Sequence, residues 1–150
     1  MQIPKLTRGV AEKVYIVVEY NEGVEVIPGT VMEWSATATV ADQGRLVEKV
    51  DTQAAVILGI GAGVAGVVDS TIATSDTGRL QVYGPCQVRS KTTLAVGTLA
   101  VASSENVAPT GVVTTASAST DSNAGHTFAC IGHVLEDTSA TQSAIQLNIL

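Results

Sequence analysis

The stretches LAVGTLAVASSENVAPTGVVTTASAS (94–119) and HTFACIGHVLEDTSATQSAIQLNIL (126–150) decide the fold. Each is a string of short Val, Ile, Leu and Thr runs cut by Gly, Ser, Asn and Asp, and β-branched side chains fit a pleated sheet better than a helix. Strands are expected at residues 97–102, 111–116, 127–135 and 144–150, a spacing that predicts a barrel or a sandwich. ASASTDSNAG (116–125) is dense in turn formers and predicts an exposed, mobile loop. Residues 92–150 hold four acids and no Lys or Arg. Strands with such plain faces point to assembly rather than chemistry.

Towards the N-terminus, KVYIVVEY (13–20) reads as a first strand and EVIPGTVMEW (25–34) as a second, broken or bulged at Pro28-Gly29, with the acids of both on the wet face. SATATVADQGRLVEKV (35–50) fits a hairpin or an irregular crossing around Gly44, and apolar text resumes over 55–68. RLQVYGPCQVRS (79–90) predicts a strand broken at Gly84-Pro85 and continuing through Val88. Helical periodicity of convincing length is missing, so the expected fold is all-β, a single compact barrel or sandwich of short strands. An internal similarity links GVVDSTIATSDTGRLQV (66–82) to GHVLEDTSATQSAIQL (132–147), with one residue deleted. It suggests two related β-loop-β units closing one barrel, chance likeness between Thr-rich strands being the alternative.

A chain of 150 residues is the size of one domain, two very small ones being the other possibility. Hydrophobic residues make up 45%, yet five are aromatic, so small branched side chains must fill the core. Cys86 and Cys130 lie in apolar strand text and read as buried thiols, which pack as small hydrophobes; two positions do not establish a disulfide. The net charge of −6 argues against a nucleic-acid partner held through its phosphates. That charge is uneven: residues 1–13 carry +2 through Lys5, Arg8 and Lys13 against Glu12, and the remainder carries −8. A basic arm (1–13) thus precedes an acidic barrel domain (14–150). MQIPKLTRGVAEK has no apolar signal-peptide core, so export by that route is not expected, and AAVILGIGAGVAGVV (54–68) is shorter than the roughly 20 residues of a membrane span, so a soluble protein is expected.

Three motifs test for chemistry. Gly61, Gly63 and Gly66 spell GxGxxG, but a dinucleotide site needs a helix opening at the glycines and an acid about 20 residues on. VAGVVDSTIATSDTG follows instead, and RLQVYG ends without a carboxylate, so no cofactor is expected. His126, Cys130 and His133 have an H-x3-C-x2-H spacing; on a strand His126 and Cys130 face one way and His133 the other, which argues against zinc. No GxSxG elbow is present, and Glu136-Asp137 reads as a solvated pair at a strand end. No catalytic residue is assigned, and the chain is not expected to be an enzyme.

EVIPGTVMEW, GVVDSTIATSDTGRLQVYGPCQV, AVGTLAVASSENVAPTGVVTT and FACIGHVLEDTSATQSAIQLNIL together resemble the small β-barrel head decoration, or capsid cement, proteins of tailed bacteriophages. The resemblance rests on Pro28 and Gly29, on Leu80 to Pro85, on Val96 to Leu99 with Gly111 to Val113, and on Ile131 to Asp137 before Ile145 to Leu150. It implies an all-β virion protein, assembled in the host cytoplasm, that binds the major capsid protein on the outside of the head, commonly as a trimer, and stabilises the shell. It implies no enzymatic activity. The arm is then the candidate attachment element, with Lys5, Arg8 and Lys13 ordering on an acidic partner surface. The competing reading is a carbohydrate-binding or adhesive β-module of a virion fibre or cell surface, which needs exposed aromatics beyond Trp34 and three tyrosines.

Overall fold

The computed structural model describes residues 12–20, 22–35, 44–49, 62–90, 93–102, 113–115, 130–137 and 142–149. Among them the chain forms strands and no helix: β1 (Val14–Tyr20), β2 (Val31–Trp34), β3 (Leu46–Lys49), β4 (Ala62–Val68), β5 (Thr77–Arg89), β6 (Leu99–Ala102), β7 (Val113–Thr115), β8 (Cys130–Asp137) and β9 (Gln142–Asn148). The sheet order is β1-β3-β2-β4-β5-β9-β8-β6-β7, and a further pairing of β1 with β5 closes the first five strands into a barrel. The protein is all-β, as its β-branched text requires. The loop at 116–125 and the apolar run at 55–61 lie outside the described residues.

β5 joins two layers. From Thr77 to Tyr83 it pairs antiparallel with β1, and from Tyr83 to Arg89 with β9. The break expected at Gly84-Pro85 does not occur. Gly84 adopts φ +95°, a region that L side chains rarely enter, so the strand changes course there without ending. Beyond β4, the edge of β5 is completed by a side chain: the Gln81 amide donates to the carbonyls of Tyr83 and Pro85, each at 3.0 Å. Gln81 is 3% exposed, so its removal strands two acceptors. Gln81→Leu is expected to lower stability by about 1–3 kcal/mol in urea unfolding, and Gln81→Glu, which would aim a carboxylate at two carbonyls, by more.

Alternation along the barrel strands creates two cores. Val18, Tyr20, Met32, Val47, Ala65, Val68 and Leu80 fill the barrel together with Val26 and Ile72 from the loops. Val31 and Val67, each next in sequence to a barrel residue, belong instead to a second core with Cys86, Val88, Leu94, Ala100, Ile131, Val134, Ile145 and Leu147. The β2–β4 wall is therefore buried on both faces. This corrects the expectation that the acids of the second strand are wet, since Glu33 on β2 is only 3% exposed.

Beside β1 the barrel has a parallel seam, β1 with β3, Glu19 opposite Leu46 and Tyr20 opposite Val47. Arg45 and Glu19 form an ion pair across it at 3.2 Å, and the Glu22 carboxylate accepts the backbone N–H of Lys49 at 3.0 Å. Beside it the Tyr20 hydroxyl meets the Glu22 carboxylate at 3.0 Å and the Val24 carbonyl. Burial, then the Glu22 charge, pushes that phenol above its ordinary range.

The internal similarity is a similarity of structure. In the β4–β5 hairpin Val67 faces Gln81 and Val68 faces Leu80; in β8–β9 His133 faces Gln146 and Val134 faces Ile145, the same positions of the repeat. The repeated glycine has one role in both. A Cβ on Gly66 would lie 3.0 Å from the Gln81 carbonyl, and one on Gly132 would meet the Gln146 carbonyl. The units do not jointly close the barrel, as the repeat suggested: the β1–β5 pairing closes it, and β8–β9 lies in the outer layer.

Candidate functional site

A cleft of about 260 Å³ opens where β5 parts from β4. The Pro28-Gly29 turn bridges the gap: Gly29 donates to the Val68 carbonyl and accepts from the Arg89 N–H, both at 2.9 Å. Lys13, Asp69, Gln81, Cys86, Gln87, Arg89 and Gln142 line the cleft along with that turn. Asp69 is engaged by Arg79 at 2.7 Å, and the Arg79 guanidinium lies 5.1 Å from the centre of the Tyr15 ring. Lys13 and Arg89 make no ion pair with any described residue. The cleft thus holds two cations without an ion-pair partner among the described residues, in a protein of net charge −6.

Cys86 is a free, buried thiol. Burial pushes its pKa from 9.0 up to about 12, against a smaller lowering by the charge of Lys13. A thiol held protonated is a poor nucleophile. The shift also makes stability depend on pH. In the unfolded chain the thiol ionises near 9.0, whereas the native state keeps its proton to about 12. Above pH 9 the native state binds more protons, and stability is expected to fall as pH rises from 9 to 12. The raised Tyr20 phenol adds to the fall with the same sign. Urea midpoints against pH should decline over this window, less steeply for Cys86→Ala.

Of the attachment residues read from the sequence, Lys13 is exposed at the cleft, and Lys5 and Arg8 lie outside the described residues. Of the GxGxxG set, Gly63 and Gly66 sit within β4, a strand antiparallel to β2 and β5, so no helix opens at them; Gly61 is not described. His133 is exposed on β8 and Cys130 begins that strand, while His126 lies outside the described residues. Glu136 and Asp137 end β8 opposite Ala144 and Ser143. Sequence reasoning missed Arg89 and Gln142, which have no motif and meet only because β9 pairs with β5.

A closed five-stranded barrel extended by an outer β-layer, with a small polar cleft between them, is the class of protein that the described residues define. No family model matches the chain, and no curated protein matches it in sequence. Among solved structures it is similar to the crystal structure of the head fiber gp8.5 N base of bacteriophage phi29. The identity is 11% over 93% of this chain and 98% of that one, with a TM-score of 0.51. At that identity the likeness shows a shared fold.

Proposed function

We propose that the chain is a structural protein of a tailed-phage virion, a head decoration or cement protein that binds the outside of the shell. The observation that carries this reading is the fold shared along nearly the whole of both chains with the base of a phage head fiber, on a sequence that independently resembles phage decoration proteins. A phage head-related structural role follows most directly. The finer reading adds the major capsid protein as partner, a homotrimer as the binding form, stabilisation of the shell, and no enzymatic activity. The carbohydrate-binding alternative gains no support from the aromatics: Tyr20 is buried, Tyr15 and Trp34 are half-buried, and Tyr83 stands alone among the described aromatics as exposed.

Lys5, Arg8 and Lys13 are the proposed attachment residues. Deleting residues 1–13 is expected to preserve the β-type circular dichroism spectrum while weakening co-sedimentation with phage heads, and raised salt should mimic the loss. Unchanged binding would move the attachment surface to the barrel. Failure to bind any head of the phage that encodes the chain would refute the decoration reading.

A further inference from the structure

We propose that the cleft beside β5 is a receptor for an acidic side chain presented by an extended segment of the partner protein. Three observations converge on this. Lys13 and Arg89 are the cations of the cleft without an ion-pair partner among the described residues, whereas Asp69, its one acid, is already neutralised by Arg79. Gln87 lines the cleft beside them, with a neutral amide able to donate. At about 260 Å³ the cleft lies below the roughly 300–1,000 Å³ of small-molecule and cofactor pockets, so it suits a side chain better than a nucleotide.

The ligand chemistry is a carboxylate rather than a polyanion. Two cations match one or two carboxylates with charge-assisted hydrogen bonds. The remaining surface of a −6 protein repels a phosphate backbone. The site is also preorganised: the Arg89 side-chain stem packs against Gly29, where an added Cβ would stand 3.3 Å from Arg89 Cγ, and the Arg89 N–H is fixed to the Gly29 carbonyl. Lys13 and Cys86 line the same cleft as Arg89. That the partner is a phage shell rests on the function proposed above; the preference of the cleft for carboxylates does not.

The test uses the full chain and a capped Gly-Asp-Glu-Gly peptide, with its Asn-Gln counterpart as control. The acidic peptide is expected to shift the NMR resonances of Arg89 and Gln87, which line the cleft, and the neutral peptide should not. Arg89→Gln with Lys13→Gln should weaken the acidic peptide about tenfold. Equal binding of both peptides, shifts away from the cleft, or no loss in the double variant would overturn the proposal. Peptide capture without head binding would keep the cleft and refute the shell as partner. Head binding that is indifferent to Arg89→Gln, with no peptide capture, would overturn the cleft and leave the shell.

Discussion

Gly84→Ala is expected to destabilise the protein by about 3–4 kcal/mol. Two costs add at this position. Its φ of +95° is a conformation that an L side chain enters at roughly 1–3 kcal/mol. A Cβ there would also meet the backbone carbonyl of Glu12, with Lys13 Cα 3.2 Å away, so relief requires moving chain rather than turning a rotamer. For a domain of this size the melting temperature should fall by about 10 °C. The costs can be separated. In a chain lacking residues 1–13 the carbonyl is gone and the backbone strain remains, so the same substitution should cost about half as much, a non-additivity expected of touching groups. An equal loss in both backgrounds would place the whole effect in φ and remove Glu12 from the packing of β5.

Gly84 also shows why the strand break was misread. Gly-Pro normally signals the end of a strand, because Pro cannot donate to a ladder and Gly weakens it. Here the carbonyls freed at the bend are taken by Gln81, four residues before Pro85, and the strand survives with a new partner on its far half. No local rule links a glutamine to a break that it repairs. The strand identities were legible, because Val/Ile alternation and turn residues act locally; KVYIVVEY became β1 almost residue for residue. The parallel pairing of β1 with β3 was not, since it depends on a return path through residues whose pattern is weak.

The same contrast holds for burial and for the cleft. Glu33 alternates with apolar neighbours as a wet residue should, yet β2 is covered by a second layer whose strands begin more than sixty residues later. Lys13 stood out in the sequence as one of few cations, but Arg89 and Gln142 acquire meaning only when β9 pairs with β5 and carries Gln142 opposite Arg89. The repeat was the most far-sighted signal in the text: it aligned Gly66 with Gly132 and Gln81 with Gln146 before any register was known, and the two hairpins pair Val67 with Gln81 and His133 with Gln146 at equivalent positions.

That equivalence sets up the other large effect. Gly132 lies between Ala100 of β6 and Leu147 of β9, and a Cβ on it would run into the Gln146 carbonyl, part of the backbone of the adjoining strand. Gly132→Ala must therefore pry β8 from β9, at about 3 kcal/mol or more, and the damage falls on the second core through Ile131, Ile145 and Leu147, all fully buried. The protein carries a reporter for each core: Cys86 sits in the second, and Trp34, its single tryptophan, packs against the first. In the Cys130→Ser background, Gly132→Ala should make the Cys86 thiol reactive at lower urea than the concentration at which Trp34 fluorescence shifts. The outer layer would then open before the barrel, as a unit of lower local stability. Coincident transitions would instead show that the shared β2–β4 wall, with Val31 beside Met32 and Val67 beside Val68, couples the two cores into one cooperative structure.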